Sequence, residues 1–480
     1  MRLIYEKSVK GRRGISLPAS DVPKTEVYEK YLRKETAALP EVSELDVVRH
    51  FTNLSRMNFS VDTNFYPLGS CTMKYNPKFT EVISNLPGFR DLHPFMAQFD
   101  YAEGLAQGAL EVLYNVEELL AEITGMKEVT TEPLAGAHGE LTGIMLIAAY
   151  HKHKKNKKKY VIVPDSSHGT NPASAAIVGY ELISIPTGKD GCMDMDEYKS
   201  KLTDEVAAVM LTCPNTLGIF NARIKDIADM AHKVDALMYY DGANLNAIMG
   251  KVRPGDVGFD VVHLNLHKTF ATPHGGGGPG AGPVGVNEKL TDFLPVPKVV
   301  KNKDGSFSLK ENKPKSIGRI APFYGNFGVI LKAYAYILLL GKEGLTEASE
   351  MAVLNANYCM ARLKKAYHLP YDRICMHEFV LSASIQLEKG IHALDIAKYL
   401  IDNRMHPPTV YFPLIVKEAI MVEPTESESK EAMDCFVEVM LKAAELAVTA
   451  PDVLKNAPVT MPVSRLDEVK AARELNCSHI

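Results

Sequence analysis

The chain has 480 residues, enough for two or three domains. Its 54 basic and 58 acidic side chains leave a formal net charge of −4, which gives no argument for nucleic acid or an anionic membrane as a partner. Hydrophobic residues make up 46%, an ordinary share for a globular enzyme, and no apolar run approaches the ~18 residues of a membrane span. The seven cysteines are scattered, odd in number and without a CxxC pair. That pattern predicts reduced thiols, a cytoplasmic location and no metal site. The opening MRLIYEKSVKGRRG has neither the apolar centre nor the cleavage site of a secretory signal.

Residues 1–95 read as an extended N-terminal arm. They are proline-rich, with short helical pieces such as 43–57 and a polar, turn-rich, aromatic stretch, YPLGSCTMKYNPK, at 66–78. Segments of this kind wrap a core or a partner more readily than they pack alone. Helical periodicity runs from 101 to 123. Between about 125 and 290 strands and helices alternate, with strands expected at 160–164, 181–186, 206–212, 236–240 and 260–266 and a helix at 224–236. Such alternation predicts a mainly parallel α/β sheet with helices on both faces. The lysine cluster HKHKKNKKKY at 151–160 reads as a solvated helix end.

Four places in this α/β region carry candidate chemistry. Gly136, Ala137, His138 and Gly139 form a loop before an apolar helix, where free N–H groups and the helix dipole suit a phosphate; the alternative is a loop that merely starts a helix. His168 lies in the loop of SSHGTNPASA, placed either to stack on a flat cofactor ring or simply to face solvent. Asp241 ends an apolar strand, as a turn residue or as the carboxylate that keeps a pyridine nitrogen protonated. Lys268 follows the apolar run Val261 to Leu266 and enters a loop of histidines and glycines, HKTFATPHGGGG. A lysine so placed can lose its proton and attack a carbonyl, here the aldehyde of pyridoxal 5'-phosphate (PLP); the alternative is a solvated lysine beside a flexible loop. Lys268 and Asp241 both sit at strand carboxyl ends, where ligands collect in open α/β sheets.

After a polar hairpin or loop at 301–313, two helices are expected at 327–341 and 343–366. A strand, helix, strand and helix then follow, a small C-terminal α+β domain. The expected domains are an arm, 1–95, a large α/β domain, 96–345, and the small domain, 346–480.

These segments also carry a resemblance. GRRGISLP at 11–18, YPLGSCTMKYNPK at 66–78, AGAHGE at 135–140, SSHGTNPASA at 166–175, CPNTLGIF at 213–220, YYDGANLNAIMG at 239–250, HLNLHKTFATPHGGGGPGAGPVGV at 263–286 and EPTES at 423–427 resemble, in order, the glycine decarboxylase P-proteins. The match is to the PLP-bearing half of the two-subunit form. Many members have glutamine where this chain has His138.

The resemblance implies a fold-type I PLP enzyme. It further implies that Lys268 carries the cofactor, Asp241 holds the ring nitrogen protonated, His168 stacks on one ring face and Ala243 packs the other. Gly136, Ala137 and His138, with His267, would contact the phosphate, and Thr216 would lie near the cofactor hydroxyl or the substrate. The implied reaction is decarboxylation of glycine with transfer of the aminomethyl group to the lipoyl arm of H-protein. The implied partner is the homologous subunit 1, in a heterotetramer with two copies of each.

Two other readings remain. A cysteine desulfurase-like lyase would share Lys268, Asp241 and His168 but needs a mobile cysteine loop, and no cysteine lies in an obvious Gly/Ser-rich loop. A non-catalytic scaffold would not need Lys268.

Overall fold

The structure, a computed structural model, describes residues 2–99, 103–167, 169–275 and 278–476. They form two compact units, one ending at Ser60 and one beginning at Val61. The first contains a helix, Glu44–Ser55, where the sequence predicts one. Ser43 and Asp46 close its N-terminus reciprocally, Oγ of Ser43 accepting from the Asp46 N–H at 3.1 Å and Asp46 Oδ2 accepting from the Ser43 N–H at 3.4 Å. Much of the rest lacks regular structure, and Ile15, Leu17, Tyr28 and Leu39 are 74% exposed or more.

The second unit is built on a seven-stranded sheet. Its strands are β1 (Glu128–Thr130), β2 (Tyr160–Pro164), β3 (Glu181–Ile185), β4 (Val206–Leu211), β5 (Leu237–Gly242), β6 (Val261–Leu264) and β7 (Val284–Val286), in the order β1-β7-β6-β5-β4-β2-β3. Strands β2 to β6 are parallel, and β7 and β1 add an antiparallel edge. Every residue of β4 and β5 is buried, as a sheet covered on both faces requires. Alternate side chains serve different faces. Val161, Val163 and Tyr239 pack with Ile144 and Ile147 of the helix Gly136–Lys154. Ile162, Met238 and Tyr240 pack on the other side with Val116 and Leu120 of the helix Glu103–Thr124 and Ile227 of the helix Ile224–Lys233.

The three-residue edge strands β1 and β7 are too short to show a period, and the sequence reading has no strand there. The last parallel strand ends at Leu264, two residues before the expected end, and Lys268 lies in a short helical turn, Leu266–Thr269.

A hairpin, β8 (Lys298–Lys301) with β9 (Phe307–Lys310), occupies the polar stretch. The helix Phe327–Leu363 is broken at Gly341 (φ 61°, ψ −169°), where the sequence divides two helices. Beyond it a second sheet, β10 (Phe379–Ser382), β12 (Ala419–Val422) and β11 (Thr409–Val410), in that order, is covered by the helices Ala393–Asp402 and Lys430–Thr449. Phe379, Ile396, Leu400, Phe436 and Met440 form its core. Residues of the 61–95 segment pack on this part: Leu68 bridges to Val422 and Tyr66 stacks on His406 with ring centroids 3.6 Å apart.

Candidate active site

The carboxyl ends of β5 and β6 lie side by side, with Asp241 opposite His263 and Gly242 opposite Leu264. Asp241 is buried; its Oδ1 accepts the Ala243 N–H at 3.1 Å and lies 3.4 Å from Nε2 of His263. Nδ1 of His263 is 3.0 Å from the Tyr239 hydroxyl, which donates to the carbonyl oxygen of Glu140 at 3.1 Å. The Glu140 carboxyl belongs to the same buried group. Burial and the charge of Asp241 push it up to about 9, against the pull of Lys268.

Lys268 is 8% exposed, and its Nζ has no hydrogen-bond or ion-pair partner among the described residues. A buried, unsatisfied ammonium is costly, so the place suits a lysine that reacts. Its neighbour His267 is forced down to about 3 by burial, with Lys268 and His274 adding to the shift, and is therefore neutral. The rings of His267 and His274 meet edge to face at 5.0 Å.

Gly136 is the first residue of the 19-residue helix Gly136–Lys154, with Ala135 as its cap, so the expected loop at 136–139 is the first helical turn. The N–H groups of Gly136, Ala137 and His138 have no intrahelical acceptor to reach, whereas that of Gly139 donates to the Ala135 carbonyl at 2.9 Å. The helix end comes very close to the chain that carries Lys268. A Cβ on Gly136 would lie 2.0 Å from Oδ1 of Asn265, and one on Gly139 2.4 Å from the Gly282 carbonyl. Oδ1 of Asn265 is itself buried without a partner among the described residues. His138 turns Nδ1 inward to accept the Leu134 N–H at 3.2 Å, and burial lowers its pKa. Thr216 is buried, and its hydroxyl donates to the Ser166 carbonyl at 2.6 Å, tying together the loops after β4 and β2. Ala243 is half-buried. His168 lies outside the described residues.

The other wall is made by residues to which the sequence reading assigns no role. Gly69 passes β12 so closely that a Cβ would lie 2.2 Å from the Met421 side chain. Ser70 and Thr72 then adopt left-handed backbone (φ 60° and 43°), a strained conformation for a β-branched threonine. Lys74, 2% exposed, donates from Nζ to Glu426 Oε1 at 2.6 Å, Asn246 Oδ1 at 2.9 Å and the carbonyl of Thr269, next to Lys268, at 2.7 Å. Burial acts to lower its pKa, but the Glu426 carboxylate and the Tyr336 hydroxyl together outweigh this and hold it above the usual lysine value. The signal available in the sequence was the pair of motifs SCTMK and EPTES; nothing local shows that they meet. Among the described residues, two buried groups bring histidine and carboxylate donor atoms within 4.8 Å of one another: Glu140, Asp241 and His263, and His377, Glu378 and Glu423.

The residues present fit PLP. Lys268 is a buried amine without a partner, Asp241 is a buried carboxylate on the adjoining strand, and the helix that begins at Gly136 offers unsatisfied N–H groups beside them. Site and sheet together define a fold-type I PLP enzyme. Solved structures share the fold. A glycine decarboxylase (P-protein) in inhibitor-bound form matches with a TM-score of 0.71 at 19% identity, over 87% of this chain and 93% of that one. A Lactobacillus brevis glutamate decarboxylase matches at 0.64 and 12%, over 90% and 96%.

The family model described as glycine cleavage system P-protein matches residues 16–306, and that of the glycine dehydrogenase C-terminal domain matches 348–458. Two relatives, each described as probable glycine dehydrogenase (decarboxylating) subunit 2, are similar over nearly the whole chain. The protein of Listeria welshimeri is 54% identical over 99% of this chain and 97% of its own length, and that of Caldanaerobacter subterraneus 56% over 98% and 97%. The chain belongs to the glycine cleavage system P-protein family, whose members are PLP-dependent glycine decarboxylases.

Proposed function

We propose that this chain is the cofactor-bearing subunit of a two-subunit glycine decarboxylase, with Lys268 as the residue that binds PLP covalently. The observation that carries the reading is the buried, unpartnered Nζ of Lys268 one strand away from buried Asp241. When bound, the cofactor supplies an electron sink for the pair released as the glycine carboxylate leaves as CO2. Asp241 keeps the ring nitrogen protonated, and His263 and Tyr239 brace its carboxylate. The first-turn N–H groups of Gly136, Ala137 and His138 take the phosphate, with neutral His267 beside them. Ala243 packs one ring face, His168 the other, and Thr216 lies on the cofactor-hydroxyl or substrate side.

The acceptor of the aminomethyl group is the lipoyl arm of H-protein. An apolar cavity of about 350 Å³, lined among others by Leu110, Pro279, Phe323 and Asn326, adjoins the glycine-rich loop and suits an aliphatic arm. The partner is subunit 1, in a heterotetramer with two copies of each. The exposed apolar side chains of residues 2–60 support that reading, because isolated they would face water. A cytoplasmic location accords with the free thiols Cys71, Cys192, Cys213, Cys359, Cys375 and Cys435.

The test is glycine–bicarbonate exchange with lipoylated H-protein, using this chain with and without co-expressed subunit 1. Exchange is expected from the complex only, and mass measurement should give the two-plus-two assembly. Full activity from this chain alone would refute the partner. Lys268→Ala should abolish exchange and the borohydride fixation of cofactor while the fold survives; fixation in that variant would move the anchor to another lysine.

A further inference from the structure

Glu378 and Glu423 belong to the C-terminal part of the chain, yet they reach the neighbourhood of Lys268: Asn244, which bonds Glu423, precedes Leu245, whose N–H donates to Oγ1 of Thr269, next to Lys268, at 2.9 Å. Strands β10 and β12 pair antiparallel with Phe379 opposite Val422, so the residues just beyond, Glu378 and Glu423, emerge together at one end of that sheet. Both are buried, and their carboxylate oxygens lie within 4.8 Å of each other and of a ring nitrogen of His377. The strained turn holds each in place. The Ser70 N–H donates to Glu378 Oε2 at 2.7 Å. The Thr72 N–H donates to Glu423 Oε2 at 3.1 Å and its hydroxyl to Oε1 at 2.5 Å, while Nδ2 of Asn244 reaches Oε1 at 3.1 Å.

Among the described residues neither carboxylate pairs with a lysine or arginine. The nearest imidazole, His377, is 3.8 Å from Glu378 and is driven down to about 3 by burial and by Lys268, so it is neutral. Other titratable groups facing the pair are the Cys71 and Cys375 thiols, both raised by burial. The cation acting on both carboxyls is Lys268. Double ionisation of two buried carboxylates this close is disfavoured, and burial raises both pKa values.

We propose that Glu378 and Glu423 share one exchangeable proton and act as the acid–base pair for amine exchange at Lys268. This deepens the function proposed above and rests on it. With one proton the pair carries a single negative charge. An amino acid that displaces the lysine arrives as an ammonium beside it and must lose a proton before its nitrogen can bond to carbon. That N–H bond breaks and an O–H bond forms on the ionised carboxyl; the pair becomes neutral as the amine does. The proton returns when the amine is released. No charge is left stranded in the buried site, which accounts for the placing of two carboxyls there and for the strained turn that grips both.

The first readout needs no turnover. Infrared spectra of the full chain with carboxyl-labelled glutamate should show, at neutral pH, one protonated-carboxyl band missing from both Glu378→Gln and Glu423→Gln. The double variant should lack that same band and no other, because the proton belongs to the pair. A double variant lacking two such bands, or none, overturns the proposal. Glu378→Asp and Glu423→Asp, which keep two carboxyls and so spare the fold, should retain the band at a shifted frequency; full ionisation in both also overturns it. In the complex, each Gln variant should exchange glycine about a hundredfold more slowly with an altered pH profile, while borohydride still fixes cofactor at Lys268. Wild-type rates and profile in the variants overturn the proposal. A wild-type complex inactive toward glycine refutes the function instead, and the infrared result then decides the pair by itself.

Discussion

The two walls around Lys268 are built in opposite ways. One is made by neighbouring strands of a parallel sheet: Asp241, His263 and Tyr239 lie within a few dozen residues of Lys268, and their alignment follows from strand register. The other is assembled from distant segments, with Thr72 bonded to Glu423 across 351 positions and Lys74 to Glu426 across 352. The first is held by backbone ladders and an apolar core. The second is held by buried charges and a strained turn, where a single missing partner leaves another uncompensated. The difference teaches that regular structure positions the group expected at the ring nitrogen, while costly polar contacts close the site around the lysine.

Four substitutions sharpen or break this contrast. Asp241→Asn keeps the shape of the sheet-built wall and removes its charge. Exchange should fall roughly a hundredfold or more, with cofactor still retained. Near-normal exchange would show that the sheet wall contributes no charge to the chemistry.

Lys74→Met removes the cation of the second wall and leaves Glu426, whose side chain is 11% exposed, without its counter-charge. The fold should lose about 3–5 kcal/mol, read from urea midpoints, and adding Glu426→Gln should recover part of that loss. A loss below about 1 kcal/mol, ordinary for an exposed pair, would mean the wall is not held by buried charge.

Glu140→Gln tests the pH dependence of the sheet-built wall. The folded chain holds this carboxyl's proton up to about 9, whereas the unfolded chain releases it near the ordinary glutamate value of 4.5. The stability tied to that proton is therefore complete below the unfolded value and is lost as pH rises toward the folded one. The variant should gain on wild type between pH values of about 5 and 8. Glu132 and Glu117, raised to about 8 and about 7 by burial, slope the same way in both proteins, so the difference between the two curves is the measurement. A pH-independent offset would place the Glu140 carboxyl in ordinary solvent.

Thr216→Val should have the smallest effect, about 1 kcal/mol, by removing the donor to the Ser166 carbonyl. A large loss of exchange with little loss of stability would show that the hydroxyl acts on substrate rather than as a loop tie.

Much was legible from the amino acids alone. Continuous apolar runs marked the parallel strands β2, β4 and β5, because strands buried on both faces need unbroken Val, Ile, Leu and Tyr. The place of Asp241 and Lys268 at strand ends followed from the same pattern. Short-range physics decides such features, and it acts within a window of a few residues. The edge strands β1 and β7 escaped because three residues carry no period. The helical turn around Lys268 escaped because four residues carry no helical period, and its cap Asn265 packs against Gly136 from a distant segment. Only the tertiary structure decided that YPLGSCTMKYNPK and EPTES meet at the lysine, and that Glu378 and Glu423 stand together. Those contacts join segments hundreds of positions apart, and nothing in either segment names its partner until the C-terminal sheet has formed and drawn the strained turn across its end.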